Sequence, residues 1–82
     1  MRVLFFGNLR ELAGTAETSV PADIEITTVQ ELAEYVANGK SELQAALCAE
    51  TTKAAINAKF ADFSSSLNGA DEVAFMPPFS GG

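Results

Sequence analysis

Residues 72–82 read EVAFMPPFSGG, from Glu72 to Gly82. The first five residues have the marks of a strand: Val73 and Phe75 fall on one side and Ala74 and Met76 on the other, because successive strand side chains point to opposite faces. Pro77 and Pro78 have no N–H for a ladder, so they end the strand and hold the next residues extended. Gly81 and Gly82 then offer backbone without side chains. A strand that is apolar on both sides and runs through two prolines into paired glycines predicts a domain over residues 1–76 and an exposed tail over residues 77–82.

The other elements follow by working back from that strand. SSSLNGADE (Ser64–Glu72) is a cluster of turn formers, and KAAINAKF (Lys53–Phe60) reads as strand, turn and short strand around Ile56 and Phe60. Asp71 and Glu72 are expected to cap the turn before the last strand. Further back, Thr28 and Glu31 have capping-box spacing, and Val29, Leu32, Ala33, Val36 and Ala37 recur at helical spacing until Asn38-Gly39. A second capping pattern, Ser41 to Gln44, opens a weaker helix through Leu43 and Leu47. TSVPADIEI (Thr18–Ile26) alternates loosely, and Pro21 confines it to a sheet edge paired with the first strand. In NLRELAG (Asn8–Gly14), Asn8 caps a single helical turn that Gly14 terminates. RVLFF (Arg2–Phe6) reads as a buried strand ended by Gly7.

The order strand, strand, helix, hairpin, strand predicts an α+β fold of the β-grasp kind. A mixed sheet of four to five strands packs on one main helix, and the first and last strands lie parallel at its centre.

Composition narrows the function. A chain of 82 residues is one domain, and one of this size buries only about 60 to 65% of its unfolded surface, which leaves little room for a deep catalytic cleft. The formal charge of −6 repels nucleic acid and anionic membranes and favours a partly basic protein partner. There is no histidine, so Ser-His and Cys-His nucleophile pairs and imidazole metal ligands are excluded, and no glycine-rich phosphate loop is present. No metal site is expected. The start MRVLFFGNLREL lacks the apolar core of a signal peptide, and Cys48 is the only cysteine, both of which predict a soluble cytoplasmic protein. Cys48 is read as a small apolar residue without a role, and Arg10 and Lys59 as solvated charges.

DEVAFMPPFSGG (Asp71–Gly82), VLFFGNLRELAGT (Val3–Thr15), TVQELAEYV (Thr28–Val36) and AAIN (Ala54–Asn57) together resemble the small, ubiquitin-like sulfur carrier subunits of molybdopterin synthases. The stretch from Gly39 to Lys53 carries no signature of that family. The resemblance implies that a ubiquitin-activating-like adenylating enzyme uses ATP to convert the Gly82 carboxylate to an acyl-adenylate. A sulfur donor protein then displaces AMP to leave a thiocarboxylate. The large subunit of the synthase receives the tail and passes its sulfur to a cyclic pyranopterin precursor, within an assembly of two small and two large subunits. The chain itself binds no cofactor in this scheme. The resemblance makes Gly82 the reacting residue and Phe75, Met76, Pro77, Pro78, Phe79, Ser80 and Gly81 the partner-binding segment. The strand pattern leaves open which of Phe75 and Met76 faces outward; the resemblance implies Phe75, as an interface anchor.

Activation by adenylation follows from elementary chemistry: a carboxylate is a poor electrophile, and a mixed anhydride with AMP makes its carbon open to a sulfur nucleophile. Glycines at the end let the backbone thread a narrow channel. Other readings of the same fold and tail are a sulfur carrier for thiamine synthesis, a ubiquitin-like protein modifier, and an interaction domain with an inert tail.

Overall fold

The structure is a computed structural model that describes residues 1–77. Its elements are β1 (Arg2–Phe5), α1 (Asn8–Ala13), β2 (Glu17–Ser19), α2 (Val29–Ala37), α3 (Ser41–Leu47), β3 (Lys53–Ile56), β4 (Lys59–Ala61) and β5 (Glu72–Met76). The five strands form one sheet in the order β2-β1-β5-β3-β4. β1 and β5 are parallel, and every other neighbouring pair is antiparallel. A parallel pair cannot be joined by a tight turn, so all the helices lie in the crossover between β1 and β5. This is the β-grasp fold that the order of elements predicts, with the last strand at the centre.

The helix expected to dominate does so. Thr28 caps α2: its Oγ1 accepts the Glu31 N–H at 3.2 Å while the Glu31 carboxylate accepts the Thr28 N–H at 3.2 Å. Asn38 ends the helix in the left-handed conformation (φ 51°), and Gly39 follows at φ 80°. The buried side of α2 is Val29, Leu32, Ala33 and Ala37. It meets Val3, Phe5, Val73 and Phe75 from the sheet and Leu9, Leu43 and Leu47 from the flanking helices in one cluster. Full burial of a Val, Leu or Phe side chain contributes about 1.5 to 3 kcal/mol.

Local signals near the other helices act differently from the sequence expectation. Asn8 caps nothing: Gly7 is the cap residue of α1, at φ 58° and ψ −138°, a conformation suited to glycine, and Asn8 is already helical. Gly14 does terminate α1 in the left-handed region (φ 79°). Ser41 is likewise the first helical residue of α3, behind an extended Lys40, and no side chain caps that helix. β2 is an edge strand paired with β1, as Pro21 requires, but it stops at Ser19. The Val20 N–H reaches back to Met1 O (2.8 Å), and Ile24 N–H closes a turn on Pro21 O (3.2 Å), so Ile24 and Ile26 lie outside the sheet.

The β3–β4 turn places Asn57 (φ 49°) and Ala58 (φ 70°) in the left-handed region, as a two-residue hairpin demands. Asn57 also replaces Asp71 and Glu72 as the cap before β5, because its Oδ1 accepts both of their backbone N–H groups at 3.0 Å. The Glu72 carboxylate pairs instead with Arg2 on β1. No helix among the described residues is long and apolar enough to cross a membrane.

Candidate functional site

The pairing register sorts the side chains by face. In β5, Val73 lies beside Val3 and Ile56, and Phe75 beside Phe5 and Ala54, on the face covered by the helices. Phe75 is 0% exposed; it stacks on Phe5 (centroids 6.3 Å apart, 16° between planes) and tilts against Phe63 (6.0 Å, 48°). Aromatic pairs in such geometry add to the burial of their area. The expectation that Phe75 is the outward anchor is therefore corrected. Its register with Phe5 and Ala54 fixes it inward, and Met76 is the member of the pair that faces out.

Among the described residues, no helix lies over the opposite face. One transverse row there runs from Glu17 through Leu4, Ala74 and Ala55 to Phe60, and beyond it Met76 pairs with Lys53. Leu4, Phe6, Ala55, Phe60, Ala74 and Met76 line a shallow apolar depression on this face. Phe60 is 71% exposed and Phe6 44%, large values for aromatic rings in a small domain. Charges stand at the margins: Arg2 between Glu72 and Glu17 at one end, Lys53 at the other. A contiguous apolar patch inside a polar rim has the composition of a protein-docking surface.

The root of the tail adjoins this surface. The Phe6 N–H donates to Phe75 O (3.1 Å), which extends the β1–β5 ladder by one residue beyond β1. Immediately after Met76, Pro77 lies across the backbone of Gly7. Pro77 also borders a small hollow with Asn8, Leu9, Ala49 and Thr52. Pro78, Phe79, Ser80, Gly81 and Gly82 lie outside the described residues.

Leu4, Phe6, Ala74 and Phe60 were not among the site residues expected from the sequence, although Phe60 and Ala74 were placed in strands. Their signal is an alternation with apolar residues at both parities: RVLFF and EVAFM place large or small apolar groups on each face, although the helices cover only one. Cys48 is half-buried, and its sulfur accepts the Gln30 amide at 3.5 Å. The Glu31 carboxylate is held below its usual range, foremost because the Thr27 hydroxyl donates to it (2.5 Å), aided by the Thr27 and Thr28 backbone N–H groups. It serves the helix cap and lies away from the docking face.

Residues 3–82 match the model of the ThiS family. The chain is 40% identical over 82 residues to the molybdopterin synthase sulfur carrier subunit of Escherichia coli (strain K12), covering 100% of this chain and 99% of that protein. It is 30% identical, with the same coverage, to the protein of that name from Haemophilus influenzae (strain ATCC 51907 / DSM 11121 / KW20 / Rd). Among solved structures it superposes on small archaeal modifier protein 1 of Haloferax volcanii with a TM-score of 0.78, at 21% identity and 95% coverage of both chains. A putative molybdopterin converting factor, subunit 1, from Pyrococcus furiosus gives a TM-score of 0.68, at 22% identity and 94% coverage of both chains.

Proposed function

Because the chain belongs to the ThiS family, we propose that it is the sulfur carrier subunit of a molybdopterin synthase. The observation that carries the reading is geometric. The strand leading to the C-terminal segment is the centre of the sheet, and it ends beside an uncovered apolar face, so a partner gripping that face receives the tail at a fixed distance.

In this reading the sheet face of Leu4, Phe6, Phe60 and Met76 docks on the large subunit, and residues 77–82 enter that subunit's active site. The chain supplies the acyl group. An adenylating enzyme brings ATP to the Gly82 carboxylate: a carboxylate oxygen attacks the α-phosphorus, pyrophosphate leaves, and an acyl-adenylate results. A persulfide on a donor protein then attacks the acyl carbon and expels AMP, giving an acyl disulfide. A second thiol attacks the donor's sulfur of that disulfide, so that the S–S bond breaks, the thiocarboxylate leaves and the donor is left as a disulfide. In the synthase the sulfur passes to a cyclic pyranopterin precursor, and water restores the carboxylate. The domain holds the tail and presents it, and the chemistry is done by the partners.

Intact-mass analysis after incubation with the adenylating enzyme, ATP and the sulfur donor tests this. One oxygen-to-sulfur replacement at the C-terminus is expected, and a lysine conjugate in its place indicates a protein modifier. Deleting Gly82 moves the reacting carboxyl by roughly 3.3 to 3.6 Å and is expected to abolish transfer, because ~1 Å of misplacement can cost about a hundredfold in rate. Stability is expected to change by less than about 0.5 kcal/mol. A shortened chain that delivers sulfur at the wild-type rate sinks the proposal.

A further inference from the structure

Gly7 has two constraints that no other described glycine combines. Its backbone angles, φ 58° and ψ −138°, are rarely adopted by residues with a Cβ. A Cβ built there would also stand 2.6 Å from Pro77 Cγ, 3.3 Å from Cδ and 3.8 Å from Cβ. Gly14, Gly39 and Gly69 share the positive φ and have nothing within 4 Å of such an atom. Their need for glycine is conformational, whereas at Gly7 the missing side chain is also the room that Pro77 occupies.

The place of this contact gives it meaning. Phe6 is the last residue of the β1 side bonded to β5, through its N–H to Phe75 O, and Gly7 turns the chain away into α1. Pro77 is the first residue beyond β5, and its ring lies against that turn. Its ring fixes its own φ and restricts Met76 before it, so few torsions separate the ladder from the tail. At the end of the described residues a proline ring therefore rests on a bare backbone.

Building on the carrier reading, we propose that Gly7 is a positioning residue: it admits Pro77 against the β1–α1 turn and so sets the direction in which residues 78–82 leave the sheet. Gly7 touches neither partner nor sulfur in this proposal. A side chain at residue 7 pushes Pro77 outward by about the ångström needed to restore ordinary contact, and the reacting end is misdirected while the apolar face stays intact.

The test is a double-mutant cycle on the full chain, comparing wild type, Gly7→Ala, Pro77→Ala and the double variant. Each is converted to the thiocarboxylate by cleaving an intein fusion with sulfide, so that enzymatic activation is bypassed. Three quantities are measured: affinity for the large subunit, single-turnover sulfur transfer within the complex, and thermal unfolding. With proline at residue 77, Gly7→Ala is expected to slow transfer about tenfold or more while the dissociation constant stays within about twofold. Replacing Pro77 by Ala removes Cγ and Cδ and leaves only the 3.8 Å neighbour, an ordinary contact. In that background Gly7→Ala is expected to cost less than about threefold. Backbone strain at residue 7 is common to both arms and cancels.

Equal effects in the two backgrounds, or a Gly7→Ala variant that transfers at the wild-type rate, overturn the proposal. If Gly7→Ala does not fold with proline at residue 77, the double variant decides: one that folds and transfers within about threefold of Pro77→Ala supports the proposal, and one that does not fold overturns it. Wild-type thiocarboxylate that transfers nothing to the large subunit sinks the carrier reading itself, an outcome distinct from a cycle without coupling.

Discussion

The two faces of the sheet are built from similar residues and have opposite surroundings. On one, Val3, Phe5, Val73 and Phe75 are sealed beneath α2 and its neighbours; on the other, Leu4, Phe6, Phe60 and Met76 have no helix above them. Hydrophobicity alone does not tell these faces apart. The covered face has its stabilising partner within the chain, whereas the bare face keeps apolar area available for a partner outside it. The same strands thus hold the fold together on one side and, in the proposed function, dock a partner on the other.

The sharpest way to break this comparison is at Phe75 and Phe60. Phe75→Ala leaves a cavity between Phe5 and Phe63 and is expected to destabilise the domain by about 3 to 5 kcal/mol, read by denaturant unfolding. A loss near zero would mean that Phe75 is not a core residue. Phe60→Ala is expected to weaken association with the large subunit by about 1 to 3 kcal/mol in calorimetry while stability moves by about 0.5 kcal/mol or less. Unchanged binding would remove the bare face from the interface.

Two smaller effects sharpen the same contrast from the helix side. Thr28→Ala removes one half of the capping box and is expected to cost about 1 kcal/mol of stability with docking unaffected, since α2 lies on the far side of the sheet. The smallest effect concerns pH. Folding lowers the Glu31 pKa, so the folded state favours its ionised form. Its contribution is therefore present above the usual carboxylate range and fades as pH falls through the lowered folded value. Thermal unfolding of wild type and Glu31→Gln across that range is expected to converge at the acid end, and a gap that widens there would reverse the assignment.

Much of this architecture was legible in the sequence, and the exceptions have physical causes. The α2 capping box, the Asn38-Gly39 stop and the β3–β4 hairpin each rest on chemistry local to a few residues, and the parallel central pair follows from the order of the elements. The orientation of β5 was not legible, because EVAFM is apolar at both parities and only its neighbours' register decides between Phe75 and Met76. Asn8 and Ser41 resemble helix caps in sequence, but the preceding residues, Gly7 and Lys40, take the non-helical backbone first. Alternation through Ile24 and Ile26 suggested a longer β2, yet Pro21 diverts the chain into a turn. The bare apolar face was not legible for a related reason: Leu4 and Phe6 look like core residues until the location of the helices is known. The Gly7–Pro77 contact joins residues far apart in the chain and has no local signature.

The pairing of β1 with β5 has a consequence for how the protein is made. Arg2 and Glu72, bonded across the centre of the sheet, are separated by 70 positions. While the chain emerges from a ribosome, β1 has no central neighbour until β5 has appeared, and non-local pairings of this kind are slow to close and aggregation-prone while open. A nascent chain that stalls after β4 is left with β1 unpaired along that edge and the inner ring of Phe75 missing. Closing the centre of the sheet therefore waits for residues 72–76, the strand that directly precedes the C-terminal segment.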